Sequence, residues 1–122
     1  MMGGDYAPLE AVKGIGLYLQ QTESPATLLL AGDEARISAL LQEQNISQSN
    51  IRIVHAPEII GMHESPIKAL KEKQRSSIAI GFHLLSSGKA DAFCSAGNTG
   101  AMMVGTMHTI KTMPGITRPT IS

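Results

Sequence analysis

The sequence predicts an α/β fold built on a parallel sheet, and three observations carry that prediction. Short aliphatic runs of strand length alternate with stretches of helical periodicity. The run Ala26–Ala31 is apolar throughout, as in strands buried on both faces of a parallel sheet. From Lys89 to Met103 a short apolar run (Ala90, Ala92, Phe93, Cys94) passes through the small-residue turn Ser95–Gly100 into a helical pattern. That order is the strand–turn–helix of a βα unit.

Each element has its own signal. Pro8–Gln20 places Leu9, Val12, Ile15, Gly16 and Leu19 on one helical face, with Pro8 acceptable in the first turn. Thr22-Glu23-Ser24-Pro25 breaks that helix, and the strand Ala26–Ala31 follows. Gly32-Asp33 turns into a second helix with Ile37, Leu40 and Leu41 as its stripe and Asp33 as its N-cap. Asn45–Asn50 reads as a polar loop and Ile51–His55 as a second strand. Ala56–Glu64 is irregular, punctuated by Pro57 and Gly61. Ser65-Pro66 starts a helix running from Ile67 to about Gln74. Ser76–Ser87 is a further helix, with Ile78, Phe82 and Leu85 inward. Gly88 ends it, and Asp91–Ser95 is predicted as a third strand with Cys94 in the core. The last helix runs from Asn98 to about Thr112, with Met103, Met107 and Ile110 inward, and Pro114-Gly115 stops it. Pro119-Thr120-Ile121-Ser122 begins a fourth strand.

At 122 residues and 43% apolar content the chain suits one ordinary packed domain, and 16% charge is too low for a disordered one. With 3% aromatics and no Trp, the seven methionines pad an aliphatic core. The zero net charge hides a polarity along the chain. Eight acids and three bases lie up to Glu64, against two acids and seven bases from Ser65 onward. The basic half contains the small-residue turn, which suits an anionic ligand. A single cysteine excludes an internal disulfide and a multi-cysteine metal site, and points to a reducing compartment. No apolar run approaches the ~18 residues of a membrane span, and Met1–Asp5 has no signal-peptide pattern. The chain therefore reads as soluble and cytoplasmic. Both ends read as cut, because a loop-like start has no strand before it and the last strand breaks off. The sequence is read as a fragment.

A turn opening a helix exposes unpaired amides at the positive end of the helix dipole, a natural seat for an anion. Ser95–Gly100 adds two hydroxyls (Ser95, Thr99) and the Asn98 carboxamide, a set able to hold phosphate or a developing oxyanion without a metal. It is neither a Walker A loop nor G-x-G-x-x-G, and a tight turn capped by Asn98 is the plain structural alternative. Gly3-Gly4-Asp5-Tyr6-Ala7-Pro8 is a second Gly-rich loop before a helix. In a parallel α/β fold both loops fall at the carboxyl edge of the sheet, where ligands bind. Lys68, Lys71 and Arg75 fall at i, i+3 and i+7, the spacing of one helical face. Histidines 55, 63, 83 and 108 have no ligand spacing, and His63-Glu64 lacks the second His of a zinc helix.

Taken together, these segments resemble one family. Met2–Pro8 is similar to the opening loop of the bacterial phosphate acyltransferases of phospholipid synthesis, the PlsX family. Lys68-Ala69-Leu70-Lys71 through Ser76-Ser77 resembles its basic helix. Gly88–Phe93 through Ser95–Met102 resembles its central signature, and Pro114–Pro119 the segment after it. The family's first loop follows a strand ending in Asp-Ala-Met, of which only Met1-Met2 stands here, and its chains are about three times longer. The resemblance implies an incomplete three-layer α/β/α sandwich like that of isocitrate and isopropylmalate dehydrogenases. Residues 1–122 would form the N-terminal part of a single enzyme domain whose C-terminal lobe is absent. It implies transfer of a fatty acyl group from acyl carrier protein to inorganic phosphate, giving acyl phosphate, with no cofactor and no metal. Ser95, Gly97, Asn98, Thr99 and Gly100 would bind phosphate or oxyanion. Gly3, Gly4 and Asp5 would form the opposite wall, and Lys68, Lys71 and Arg75 would dock the carrier or steer the anion. The implied assembly is a homodimer, peripheral to the inner face of the membrane through segments missing here, with no nucleic-acid partner. The rival readings are a non-catalytic assembly fragment and a phosphotransacetylase-like enzyme using acyl-CoA.

Overall fold

A computed structural model describes residues 1–23 and 25–116. The elements run α1 (Leu9–Gln21), β1 (Leu28–Gly32), α2 (Glu34–Glu43), β2 (Ile51–His55), α3 (Pro66–Glu72), α4 (Ser77–Ser86) and α5 (Thr99–Thr109). β1 and β2 pair in parallel, in register from Leu28 opposite Ile51 to Gly32 opposite His55. The α/β class with parallel pairing is therefore as the sequence predicts. The strand expected at residues 119–122 lies outside the described residues.

Side chains alternate across the sheet, and the two faces collect different helices. Leu28, Leu30, Ile51 and Ile53 join Val12, Ile37 and Leu41 in a core under α1 and α2. Asp33 caps α2 as expected, its carboxylate accepting from Arg36 N at 2.9 Å. Gly32 is needed where β1 turns into α2, since a Cβ there would stand 2.7 Å from the Ile37 side chain and 3.0 Å from Met2. α4 packs on β1, with Gly81 and Leu84 on the side of Leu29 and Ala31. A second core joins α3, α4 and α5 through Ile60, Ala69, Ile78, Phe82 and Ala101.

Five expectations are corrected. α3 ends at Glu72, two residues early, because Lys73 leaves helical geometry (φ −105°, ψ 65°). Asp91–Ser95 makes no ladder, so the third strand is absent among the described residues. A strand exists only through a neighbouring backbone, and a gap separates this segment from β1. Cys94 is consequently exposed rather than in the core. On α5 the buried positions are Ala101 and Gly105, while Met107 and Ile110 are 46% and 43% exposed. The cause is close approach of the Phe82 ring, which would meet a Cβ on Gly105 at 2.2 Å. On α4, Ile78 and Phe82 are buried as expected, whereas Leu85 is half-buried and Gly81 takes the inner position.

Two phenylalanines anchor the segment leading to the small-residue turn. Phe93 lies against Gly81, where a Cβ would come within 2.4 Å of its ring. Phe82 and Phe93 meet edge to face, with centroids 5.1 Å apart and planes at 79°.

Candidate functional site

The two Gly-rich loops touch, backbone against backbone. A Cβ on Gly3 would lie 2.3 Å from Gly97 Cα and 2.8 Å from Gly97 N. Gly4 has a positive φ of 99°, a conformation glycine adopts without steric cost, and its own Cβ would sit 3.6 Å from the Ala96 carbonyl oxygen. Loops more than ninety residues apart thus form one surface, beside the end of β1 where Met2 lies against Gly32. Within the second loop, Gly97 N donates to Ser95 Oγ at 3.1 Å, which tightens the turn and aims the hydroxyl. Ser95 and Thr99 are exposed, Gly97 is buried, and Asp5 is exposed on the first loop.

Asn98 is placed differently from its neighbours. It is 4% exposed, and its carboxamide is fully engaged within the protein. Oδ1 accepts from Ala101 N at 2.9 Å, capping α5. Nδ2 donates to the carbonyls of Gly61, Met62 and Glu64 at 3.0, 3.3 and 3.2 Å. An amide carries two hydrogens, so these three acceptors share them. Asn98 therefore ties the turn to the Gly61–Glu64 loop and positions its neighbours. The amides of Thr99 and Gly100, in the first turn of α5, have no acceptor among the described residues. Gly100 brings α3 close, because a Cβ there would stand 2.5 Å from Pro66 Cγ. The starts of α3 and α5 thus lie side by side.

Sequence reasoning missed the group that holds the Gly61–Glu64 loop. Glu64 Oε1 accepts from Gly61 N at 2.7 Å and from Lys73 Nζ at 2.6 Å. Lys73 also donates to the Ile59 carbonyl at 2.7 Å. The Lys73 hydrogen bond and then the Gly61 amide hold the Glu64 carboxyl below the usual carboxylate range. The nine-residue spacing of this pair matches no local pattern, so only its tertiary closeness reveals it.

The basic triplet does not survive as a single face. Lys68 and Lys71 are exposed on α3, but Arg75 lies beyond the helix end. Its backbone amide donates to Glu58 Oε2 at 2.7 Å, in a turn where Glu58 bridges Ser76. Lys71 stands instead at a cavity of about 370 Å³ between α3, α4 and α5. His55 Nδ1 accepts from the Glu34 amide at 3.4 Å, linking β2 to the start of α2. No helix of the described residues is long and apolar enough to cross a membrane.

Residues 1–122 match the family model described as fatty acid synthesis protein. Curated proteins named phosphate acyltransferase are similar throughout. That of Chlorobaculum tepidum is 43% identical over 120 residues, covering 98% of this chain and 36% of its own. That of Dictyoglomus turgidum is 46% identical over 121 residues, covering 99% of this chain and 35% of its own. That of Salinibacter ruber is 44% identical over 122 residues, covering 99% and 36%. The chain thus spans about a third of the length of these relatives. With the match running from the Gly3–Asp5 loop through the Ser95–Gly100 turn, the chain belongs to the fatty acid synthesis protein family.

Proposed function

We propose that this chain carries the phosphate-binding part of an acyltransferase that moves a fatty acyl group from acyl carrier protein to inorganic phosphate. The observation that carries the reading is the contact of Gly3 with Gly97, which sets two glycine loops around the first turn of α5. The relatives' name, phosphate acyltransferase, supports it. A phosphate oxygen attacks the thioester carbonyl carbon, the new C–O bond forms and the C–S bond breaks. The carrier's thiolate leaves with the electron pair and takes a proton from water. The nucleophile is already anionic, so the protein's task is positioning and oxyanion stabilisation. The Thr99 and Gly100 amides, with the Ser95 and Thr99 hydroxyls, supply donors for both. Asn98 holds them in place through Gly61–Glu64, and Gly3, Gly4 and Asp5 close the opposite side. Lys68 and Lys71 receive the acidic carrier, while Arg75 contributes only to the wider positive field. Dimerisation and peripheral membrane contact belong to this reading as properties of the longer protein.

The test is acyl phosphate formation with acyl carrier protein or acyl-CoA as donor, comparing the chain with its Ser95→Ala, Thr99→Ala double variant. Turnover with the carrier that falls at least tenfold in the variant is the expected result. Preference for acyl-CoA favours a phosphotransacetylase-like enzyme. Phosphate binding without turnover from either donor favours a non-catalytic assembly fragment. Charge reversal at Lys68 and Lys71 that leaves carrier affinity and its salt dependence unchanged overturns the docking role.

A further inference from the structure

The loop Ile59–Glu64 forms no ladder of its own, yet three of its carbonyls meet at one point. Gly61, Met62 and Glu64 turn their oxygens onto Asn98 Nδ2 at 3.0, 3.3 and 3.2 Å. Carbonyl dipoles that converge in this way repel one another, and two amide hydrogens cannot fully satisfy three oxygens. Something besides Asn98 has to hold the loop closed. Lys73, just past the end of α3, does so from both sides. Its ammonium donates to the Ile59 carbonyl at 2.7 Å and to Glu64 Oε1 at 2.6 Å. The same Glu64 oxygen accepts from Gly61 N at 2.7 Å. One cation thus clasps the first and last residues of the loop and, through Glu64, its middle. Lys73 is itself anchored, its amide donating to Ala69 O at 2.8 Å and its carbonyl accepting from Ser76 N at 3.2 Å.

From these contacts we infer that Lys73 is a positioning residue for the anion seat at the start of α5, acting through Glu64 and the loop carbonyls on Asn98. This role rests on the phosphate reading proposed above. Two simpler roles fit the geometry less well. Steering an anion by charge suits a free cation, whereas the Lys73 charge is paired with a carboxylate at contact distance. A plain surface ion pair contributes little, and these two side chains are 32% and 38% exposed. Here, however, both members also end on backbone groups, Ile59 O and Gly61 N, so the pair sets the path of the chain. Asn98 is buried, so a displacement of the loop carbonyls has to be taken up by its carboxamide. Its Oδ1 caps α5 through Ala101 N, and the Thr99 and Gly100 amides lie between those two residues.

The test uses the 122-residue chain with inorganic phosphate as the probe. Phosphate affinity is read from the NMR shifts of the Thr99 and Gly100 amides, and the cap from hydrogen exchange at the Ala101 amide. Lys73→Met keeps the stem and loses the donors. It is expected to weaken phosphate about fivefold and to speed exchange at Ala101 by a similar factor. Lys73→Arg is expected to restore both to within about twofold of wild type, and in an Asn98→Ala background Lys73→Met is expected to add less than about twofold. Ile37→Val, in the other core, controls for stability and is expected to move neither reading. Should Lys73→Met fail to fold, Glu64→Gln, which keeps an oxygen for the Gly61 amide, is expected to shift both readings in the same direction. Unchanged Ala101 exchange and unchanged Thr99 and Gly100 shifts in the folded variant overturn the proposal. Equal effects from Ile37→Val overturn it in favour of global stability, and a full additional loss in the Asn98→Ala background overturns it in favour of charge steering. Phosphate that leaves the wild-type amides unshifted overturns the phosphate reading instead, and exchange at Ala101 then still decides whether Lys73 positions the turn.

Discussion

Gly3 and Gly97 approach so closely that a methyl group on Gly3 would lie 2.3 Å from Gly97 Cα, whereas one on Gly97 would meet Gly3 Cα at 3.5 Å. The contact is therefore asymmetric in what it tolerates. Gly3→Ala has to push the two loops apart, since backbone cannot rotate away as a side chain can. Gly97→Ala meets Ser95 Oγ at 3.2 Å and Ile78 Cδ1 at 3.3 Å, both side-chain atoms that can shift slightly. Gly3→Ala is expected to cost about 1–3 kcal/mol, the range for overpacking, and Gly97→Ala less. Urea denaturation of the two variants checks the order, and equal costs would show that the loops are not locked together.

Asn98 gives a prediction that separates its two faces. Asn98→Asp keeps an oxygen for the Ala101 amide but loses the donors to Gly61, Met62 and Glu64, and faces a carboxylate toward their carbonyls. Asn98→Ala loses both. Each is expected to destabilise the chain by about 2 kcal/mol or more, because buried partners are left unpaired. If Asp restored wild-type stability, capping alone would account for the residue. Chemical denaturation with circular dichroism distinguishes the cases.

Glu64 makes stability depend on acid. Its folded-state pKa is lowered, by the Lys73 hydrogen bond first and the Gly61 amide second. The folded state then holds its proton less readily than the unfolded chain. The stabilisation is fully present above the ordinary glutamate value of about 4.3 and is lost as pH falls through the lowered folded value. Glu64→Gln is expected to flatten the fall of stability in that acid range and change it little in shape near neutrality. A wild-type slope retained in Glu64→Gln would assign the acid sensitivity elsewhere.

Two helical glycines should respond in opposite directions. Gly105→Ala drives a methyl into Phe82, which lies at 2.2 Å, and is expected to cost about 1–3 kcal/mol. Gly14, in α1, has nothing within 4 Å of a Cβ and is exposed. Gly14→Ala is expected to stabilise by about 0.5–1 kcal/mol through helix propensity. Thermal melts of both variants are the measurement, and a destabilised Gly14→Ala would mean that α1 is covered there.

The local elements were legible because their causes are local. Asp33 and Asn98 cap the helices that follow them, and Val12, Ile37 and Leu41 fall on the stripes their spacing defines. The inner face of α5 was not, since hydrophobicity selects Met107 and Ile110 while the Phe82 ring leaves room only for Ala101 and Gly105. Arg75 left the basic face because α3 ends before it, and helix ends are poorly marked by periodicity. The site divides in the same way. Its glycines, hydroxyls and helix start were readable as an anion seat, but the commitment of Asn98 to Gly61–Glu64 and the Glu64–Lys73 pair were not.

The amino-acid order by itself determined the α/β class with its parallel sense, the capped helices and the glycine loops, because periodicity, capping and turn chemistry act over a few residues. Only the tertiary structure decided that Gly3 meets Gly97, that Asn98 positions its neighbours, and that Asp91–Ser95 remains unpaired beside an open cleft. Those outcomes depend on which backbones lie within reach, and contact between residues far apart in sequence is set by the packing of the whole chain.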